Sequence, residues 1–551
     1  MKNEVDGMKQ ELAELLFPTV MDRKILEQRY PKRNLNPDAM VTRFAPSPTG
    51  FLHLGSLYTA FVSYLYAKQS KGIFYLRIED TDQKREVIGG IERIQEDLKA
   101  FEIFPSEGIE AQGSYGPYQQ SYRKEIYHSM AKYLVEKGLA YPCFCSEEQV
   151  SKMRKEQEQK KERLGYYGTF ATCRNLSLEV VKQKLAKQEP YVLRLRSQGS
   201  FDRKITFEDC IKGPITFPEN DMDIVLLKQD GLPTYHFAHV IDDYFMRTTH
   251  VIRGDEWLSS VPIHLELASA LDILPCSYAH LAPLTIRDGE SIRKLSKRKD
   301  PECAIAYYSA EGIPEDVLKL YFASIINADF EAWYEPGKDL FDFPFQFSKM
   351  SVGGTLFDLS KLRSLAKEYL GEMDAKTFYQ NLLEYAKQYD SSWYQILKED
   401  PNYALAVFNI ERGGEKPRKD ITCYQEAKEA YGYMFDDYFH ASAYTTEKLY
   451  SIPLLEAYQS IYSPTDTEEV WLQKIKLLGE NYGYASNRKD FKLHPEIYNG
   501  QFCDVCEMLR VAVTGRLQTP NLYYILKVLG PDRMQERIHK FIQYLQKRLA
   551  N

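Results

Sequence analysis

A short strand-like segment that runs through a tight turn into a histidine is the first place where the residue types suggest chemistry. Residues 41–44 begin it, two prolines and Gly50 follow, and helical spacing starts at His53. The N-terminus of a helix offers unpaired backbone N–H groups and the positive end of the helix dipole, which attract an anion. Gly55 keeps side-chain bulk away from the point where a nucleotide approaches. The segment therefore predicts a phosphate-binding turn.

A second candidate is the cluster of cations in Lys294-Leu-Ser-Lys-Arg298. A run of this kind is usually a solvated basic loop, and that interpretation stays open. The functional interpretation requires the loop to lie opposite His53. There, Lys297 above all would stabilise the negative charge that develops in a phosphoryl-type displacement.

Three acidic residues lie close together in Arg77-Ile-Glu-Asp-Thr-Asp82, at the end of a predicted strand over residues 73–78. Such a group is either a metal-binding cluster or a simple turn. Glu79 is a candidate for holding an ammonium group, because a desolvated cation needs a carboxylate partner.

The alternation of strand-like and helical segments indicates how these residues are positioned. A βαβ pattern over residues 41–120 predicts a parallel sheet with ligands at the carboxyl ends of its strands. Residues 121–224 change character and predict an inserted α+β module. Strand-like segments at 223–227 and 248–252 then predict the second half of the nucleotide-binding sheet. Helical periodicity dominates the rest of the chain, where the predicted helices are 359–370, 377–388, 420–431 and 532–549. A further helix is predicted over residues 8–16 near the start.

Composition narrows the class of protein. The chain has 551 residues, 44% hydrophobic and 27% charged, with a net charge of −7, and no apolar run is long enough to span a membrane. Nine cysteines make an odd number for a disulfide framework, so we expect reduced thiols in the cytoplasm. The acidic balance does not exclude RNA binding, which depends on local basic patches. We expect a cytoplasmic monomer without membrane contact.

The motifs resemble the signatures of class I aminoacyl-tRNA synthetases, and of the glutamyl-tRNA synthetase family in particular. The run Arg43-Phe-Ala-Pro-Ser-Pro-Thr-Gly50 matches the family segment that precedes its histidine, and Lys294-Leu-Ser-Lys-Arg298 matches its second signature. The likeness covers most of the chain and is closest over residues 41–330. It implies that ATP with Mg²⁺ activates L-glutamate to glutamyl-adenylate, which is transferred to the terminal adenosine of tRNA(Glu).

The resemblance also implies roles for individual residues. Glutamate presents two carboxylates, and burying them requires cationic partners. The implied glutamate-binding residues are Arg43, Ala45, Ser47, Glu79, Tyr235 and Arg253. The implied ATP-binding residues are His53, Gly55, Ser56, Trp257 and Lys297. The implied catalytic residues are His53, Gly55, Lys294 and Lys297. Arginines equally form ordinary surface ion pairs, so these roles depend on the resemblance.

Cys143-Phe-Cys145 together with Cys173 resembles a zinc site that some members of the family carry. Thiolates at this spacing suit tetrahedral Zn²⁺. Tyr166 lies further before the last cysteine than in the family, and Asn175 stands where a histidine ligand is found, so the fourth ligand is open. The alternative is a group of three small buried thiols.

The resemblance implies an α/β fold: a Rossmann-type parallel-sheet catalytic domain with an inserted α+β acceptor-binding module, followed by an all-α anticodon-binding domain. The predicted parts are an N-terminal helical extension (1–40), the two halves of the catalytic domain (41–120 and 225–285), the inserted acceptor-stem module (121–224), the Lys-Leu-Ser-Lys-Arg loop with stem-contact helices (286–355) and the anticodon-binding domain (356–551).

Three other functions stay open at this point. A glutamyl-queuosine-type enzyme shares the catalytic core but lacks an anticodon domain, and the long helical region after Gly354 argues against it. A non-discriminating enzyme would also charge tRNA(Gln) with glutamate. A non-catalytic tRNA-binding paralogue would not need the intact His53, Gly55, Lys294 and Lys297.

Overall fold

The computed structural model describes residues 2–50, 52–82, 84, 86–296, 298–413, 417–439, 444, 448 and 450–550. They form two compact units. The first comprises Met1–Tyr307 and Lys319–Asp358, and the second comprises Tyr308–Leu318 and Leu359–Asn551. The finer domain limits given above stay a prediction.

The strands lie mostly in the first unit: β1 Val41–Phe44, β2 Ile73–Leu76, β3 Ala140–Cys143, β4 Val192–Leu195, β5 Lys204–Asp209, β6 Gly213–Pro218, β7 Val225–Leu227, β8 His250–Gly254, β9 Ser277–Leu281, β10 Leu284–Asp288, β11 Ser291–Lys294 and β12 Thr355–Leu356. Two short strands, β13 Tyr484–Ala485 and β14 Gly500–Gln501, lie in the second unit.

The helices up to the end of the first unit are α1 Lys2–Leu16, α2 Arg23–Arg29, α3 Leu54–Gln69, α4 Gly90–Ala100, α5 Lys124–Glu136, α6 Glu147–Lys160, α7 Leu178–Ala186, α8 Tyr235–Phe245, α9 Val261–Ala270, α10 Ile305–Glu311, α11 Glu315–Ile326 and α12 Asp329–Trp333. Those that follow are α13 Leu359–Glu372, α14 Ala375–Tyr389, α15 Ser391–Glu399, α16 Pro401–Phe408, α17 Ala427–Tyr431, α18 Ile452–Ile461, α19 Glu468–Asn481, α20 Arg488–Leu493, α21 Phe502–Thr514 and α22 Leu522–Ala550.

The predicted parallel sheet is confirmed. β1 pairs with β2 in parallel, and β8 pairs with β9 in parallel. The two pairs meet where the Thr249 backbone N–H donates to the Val41 carbonyl at 2.9 Å. Helix α3 is the crossover between β1 and β2, and ten of its sixteen residues are buried, as expected for a helix that packs on a parallel sheet.

Strand pairing within the predicted insertion differs from the sequence-based assignment. β7 pairs antiparallel with β4 and so completes the sheet β3-β4-β7 of the inserted region. The assignment of residues 223–227 to the nucleotide-binding sheet is therefore wrong. Conversely, the β5–β6 hairpin extends the catalytic sheet, in the order β6-β5-β9-β8. Short apolar strands carry no local signal for their partners, which accounts for both differences.

The N-terminal helices pack on the first unit. The Glu14 carboxylate on α1 pairs with Lys132 on α5 at 2.6 Å. Arg33, in the segment that leads to β1, forms a buried ion pair with Glu107 at 2.6 Å and stacks over the Tyr115 ring at 3.8 Å. The extension is thus attached to the rest of the first unit by charged contacts as well as by apolar ones, since Leu16 and Leu26 belong to its hydrophobic core.

The second unit is almost entirely helical, and one predicted helix is shorter than expected. Residues 420–431 become helical only from Tyr424. The Glu426 carboxylate accepts the Thr422 backbone N–H at 2.6 Å, which holds the preceding residues in a loop. The predicted helix at 532–549 is confirmed as the second part of α22, which Gly530 interrupts at φ 74°. Within the described residues, no helix is long and apolar enough to cross a membrane.

Candidate active site

A cleft of about 1410 Å³ opens in the first unit at the carboxyl ends of the parallel strands. This is where ligands bind in open α/β sheets. Nine of the residues predicted to bind glutamate or ATP line it: Arg43, Ala45, Ser47, His53, Ser56, Glu79, Tyr235, Arg253 and Trp257. The fold therefore brings together residues that are separated by more than two hundred positions in the chain.

His53 is the N-cap of helix α3, as the phosphate-binding turn requires. Its Nδ1 accepts the Ser56 backbone N–H at 3.1 Å, and its Nε2 lies 3.0 Å from the Ser56 hydroxyl. A Cβ atom on Gly55 would lie 3.2 Å from the His53 ring, so a larger residue there would displace the imidazole. Gly50 adopts φ +145°, a conformation that favours glycine in the turn before the helix.

A buried aspartate organises the arginines on the inner wall of the cleft. Asp243 on α8 accepts from Arg77 Nη1 at 2.6 Å and from Arg43 Nε at 3.3 Å. All three side chains are at most 5% exposed. The two guanidinium groups hold the pKa of Asp243 well below its ordinary value despite burial, so it stays ionised. Arg43 therefore reaches the cleft with its charge largely compensated.

Glu79 differs from Asp243 in the direction of its pKa shift. Its carboxylate accepts from Arg77 Nη2 at 3.0 Å, and its side chain is 10% exposed. Burial raises the pKa of Glu79, against the lowering attraction of Arg77 and Arg43. Because burial makes the ionised form of Glu79 less stable, an incoming cation that pairs with this carboxylate stabilises it.

Arg253 differs from the other arginines because neutral groups surround it. Nη1 donates to the Tyr235 hydroxyl at 3.0 Å, Nη2 donates to the Trp257 carbonyl at 3.2 Å, and Nε donates to His280 Nε2 at 3.0 Å. The residue is 5% exposed. Among the described residues, no carboxylate lies within ion-pair distance of it. A buried guanidinium without an anionic partner is unfavourable unless a ligand supplies the charge.

The cation-rich loop lies near the mouth of the cleft. Lys294 ends β11 and pairs with Glu256, a cleft-lining residue, at 3.7 Å, and its side chain is 62% exposed. Just after the loop, Ala304 forms an antiparallel bridge with His53. Lys297 falls outside the described residues, so its predicted role stays a prediction.

The three candidate zinc ligands form a cluster beside the cleft. The sulfur atoms of Cys143, Cys145 and Cys173 all lie within 4.8 Å of one another. The Tyr166 hydroxyl lies 3.4 Å from Cys143 Sγ and 3.3 Å from Cys145 Sγ. Hydrogen bonds among the thiols lower the pKa of Cys143 and raise that of Cys173, so Cys143 is the thiol that ionises first. The loop of residues 166–173 therefore brings Tyr166 back to the cluster.

Sequence reasoning missed several buried partners of the site: Arg77 as the link between Glu79 and Asp243, Tyr166 in the cysteine cluster, and Asp209, His264 and His280 around Arg253. A signal was available for Arg77, which begins the acidic segment 77–82 already singled out from the sequence. Asp209 had no such signal, since only strand pairing brings it to the site.

Comparison with known proteins agrees with this geometry. The model of the class I tRNA synthetase (E and Q) catalytic domain matches residues 39–325, and that of an anticodon-binding domain matches residues 496–542. The chain is 42% identical over 548 residues to the glutamate–tRNA ligase of Clostridium beijerinckii, covering 97% of this chain and 99% of the relative. It is 43% identical over 541 residues to that of Acetivibrio thermocellus, covering 96% and 99%.

A solved structure has the same fold. The glutamate–tRNA ligase from Elizabethkingia meningosepticum, in complex with its amino acid, superposes with a TM-score of 0.76 at 28% identity, covering 92% of this chain and 99% of that one. The predicted family and fold class are thereby confirmed. Two parallel strand pairs, a histidine-capped crossover helix and a nearly full-length match to these relatives all lead to the same conclusion: the chain belongs to the class I tRNA synthetases of the glutamate and glutamine group.

Proposed function

We propose that this protein is a glutamate–tRNA ligase, which uses ATP to activate L-glutamate as glutamyl-adenylate and then transfers the glutamyl group to the terminal adenosine of tRNA. The observation that carries the choice of amino acid is the buried Arg253, which has no anionic partner among the described residues and lines the same cleft as Glu79. The relatives at 42–43% identity, which are glutamate–tRNA ligases, support the same reaction.

The residues Arg43, Glu79, Tyr235 and Arg253 form what we call the glutamate end of the cleft. Arg253 pairs with one substrate carboxylate, and Arg43 donates to the other. Glu79 accepts the α-ammonium group, since its carboxylate lines the same cleft as Arg43 and Arg253. Glutamine would leave the Arg253 charge unpaired in a buried site. The binding free energy lost in this way is larger than that of one hydrogen bond, so glutamine binds less well than glutamate.

The residues His53, Ser56, Trp257 and Lys294 form what we call the phosphate end. The backbone N–H groups at the start of α3 and the His53 imidazole hold the ATP phosphates. Lys294 and Lys297 stabilise the charge on the departing pyrophosphate. Mg²⁺ bound with ATP would further neutralise the phosphate oxygens. No side-chain nucleophile is required, because the glutamate carboxylate itself attacks the α-phosphorus and the protein orients it.

Zn²⁺ fits the cysteine cluster. Cys143, Cys145 and Cys173 would supply three thiolates, and the Tyr166 hydroxyl is close enough to complete a tetrahedral set. A closed site of this kind has a structural role. Since Cys145 also lines the cleft, the metal would fix the wall that the inserted region contributes. Metal analysis of the purified protein and of Cys173→Ser tests this proposal: about one zinc per chain is expected in the first and much less in the second.

The macromolecular substrate is tRNA, and we place the reaction in the cytoplasm with the protein acting as a monomer. The decisive experiment is charging of purified tRNA(Glu) and tRNA(Gln) with labelled glutamate, with labelled glutamine as the control. Glutamate on tRNA(Glu) alone identifies a discriminating enzyme. Glutamate on both tRNAs identifies a non-discriminating one. No charging of either by the folded protein would contradict the proposal and favour the non-catalytic paralogue.

A further inference from the structure

Two fully buried side chains outside the cleft lining stand behind Arg253. Arg253 Nε donates to His280 Nε2 at 3.0 Å, and His280 Nδ1 lies 2.6 Å from Asp209 Oδ2. The side chains of Asp209 and His280 are both 0% exposed. They form a three-membered chain that ends on the guanidinium of the glutamate end.

Strand register builds this chain. β8 and β9 pair so that Arg253 stands directly opposite His280. β5 then pairs with β9 at a single position, Asp209 opposite Tyr278. The other carboxylate oxygen of Asp209 accepts the backbone N–H groups of Ile211 and Lys212 at 3.0 and 2.9 Å, which fixes the carboxylate in the hairpin turn. An aspartate of the inserted region is thus held at the back of the catalytic sheet.

The hydrogen-bond chemistry of this chain determines the His280 tautomer. A guanidinium N–H can only donate, so His280 Nε2 must accept and the ring proton must lie on Nδ1. Asp209 accepts a hydrogen bond from the Nδ1–H group and so selects this tautomer. Burial lowers the pKa of His280, even though Asp209 raises it, and this keeps the ring neutral. The other charged groups that act on the ring are Arg253 itself and Lys212, and both also lower its pKa.

We propose that Asp209 and His280 are positioning residues that aim Arg253 at the substrate carboxylate while leaving its charge available. A carboxylate in direct contact would compensate the guanidinium, as Asp243 does for Arg43. A neutral imidazole between Asp209 and Arg253 fixes the direction of the guanidinium without that compensation. This inference rests on the proposed function, in which Arg253 binds glutamate.

Asp209→Asn is the sharpest test. The asparagine oxygen keeps the bonds from Ile211 and Lys212 and the 3.4 Å bond from the His280 backbone N–H. Its NH₂ group takes the Oδ2 position, donates to His280 Nδ1, and gives up the 3.2 Å bond that Oδ2 accepts from that backbone N–H. The ring proton then moves to Nε2 and opposes the Arg253 N–H. We expect kcat/KM for glutamate to fall by about 10- to 100-fold, through KM, while KM for ATP changes less than about twofold. A matched control is Asp272→Asn, which makes the same change at a surface aspartate that accepts hydrogen bonds from Tyr133 and Lys137.

Two further variants make the result decisive. His280→Leu removes the hydrogen-bond acceptor of Arg253 and leaves the Asp209 turn bonds intact. If Asp209→Asn fails to fold, His280→Leu must show the selective rise in KM for glutamate.

Arg253→Gln tests the proposed function itself. A normal KM for glutamate in folded Asp209→Asn, beside an impaired Arg253→Gln, would overturn the positioning role and leave the function standing. Normal values in both would overturn the assigned role of Arg253. Equal losses toward glutamate and ATP would also overturn the inference, since a merely structural role predicts them.

Discussion

The arginines at the glutamate end of the cleft are buried and hydrogen-bonded, whereas the phosphate end is open to solvent. At the first, Arg43 and Arg253 are 4% and 5% exposed. At the second, Lys294 is 62% exposed and its ion pair with Glu256 is long, at 3.7 Å. Buried, hydrogen-bonded charges hold a fixed geometry, and exposed lysines keep their freedom. The difference suggests that one end selects the amino acid, while the other adapts to a phosphate group that changes charge and position.

The largest difference between the two ends should appear in stability. Asp243→Asn removes the buried carboxylate that Arg43 and Arg77 share. Among the described residues, Arg43 then has no carboxylate partner, although Arg77 keeps Glu79, and breaking such a buried pair costs about 3–5 kcal/mol. Asp288→Asn, near the phosphate end, removes the 52%-exposed partner of Arg293 and costs less than about 1 kcal/mol. Urea denaturation of both variants measures the contrast. Equal losses in the free energy of unfolding would contradict the comparison.

Activity at the phosphate end should respond without a change in stability. Lys294→Ala removes a mobile cation, and we expect kcat for charging to fall by about 10- to 100-fold because transition-state charge is less well stabilised. The urea midpoint should stay that of the parent protein, since the side chain is exposed. Lys294→Arg serves as the control and should retain most of the activity. Unchanged turnover in Lys294→Ala would remove the residue from the mechanism.

The smallest effect is a pH dependence confined to the glutamate end. Burial raises the pKa of Glu79, so this carboxylate takes up its proton at a higher pH than an exposed glutamate does. Protonation removes the anion that pairs with the α-ammonium group. KM for glutamate should therefore rise about tenfold per pH unit once the pH falls below that pKa, while KM for ATP does not follow. In Glu79→Gln the acid-side rise should disappear, and a rise that persists there would assign the titration to another group.

Local signals in the sequence sufficed for much of the site. The histidine-capped helix, the strand β2 and the parallel βαβ unit all follow from short-range patterns, since a turn, a helix cap and an apolar strand each occupy a few adjacent residues. The glutamate-binding residues were named from their resemblance to a family, and the fold brings them to one cleft.

Non-local pairing set the limit of prediction. Nothing in residues 223–227 indicates that they pair with β4 and not with β8, because strands of three or four apolar residues fit many partners. For the same reason, the contact of Asp209 with His280 could not be foreseen: it exists only because β5 adds to the edge of β9. Whether a buried arginine has a carboxylate partner also depends on packing. The structure was therefore needed to show that Arg43 pairs with Asp243, whereas neutral groups surround Arg253.

The role of Arg253 in recognising glutamate is tested most directly by the amino acid specificity of the Arg253→Gln variant. We expect kcat/KM for glutamate to fall by about 10²- to 10³-fold, since the buried charge pair with the substrate is lost, while the much lower kcat/KM for glutamine changes little. The preference for glutamate over glutamine would then collapse, with KM for ATP and the urea midpoint preserved. An unchanged preference in a folded variant would contradict the claim that Arg253 supplies the charge by which this protein recognises glutamate.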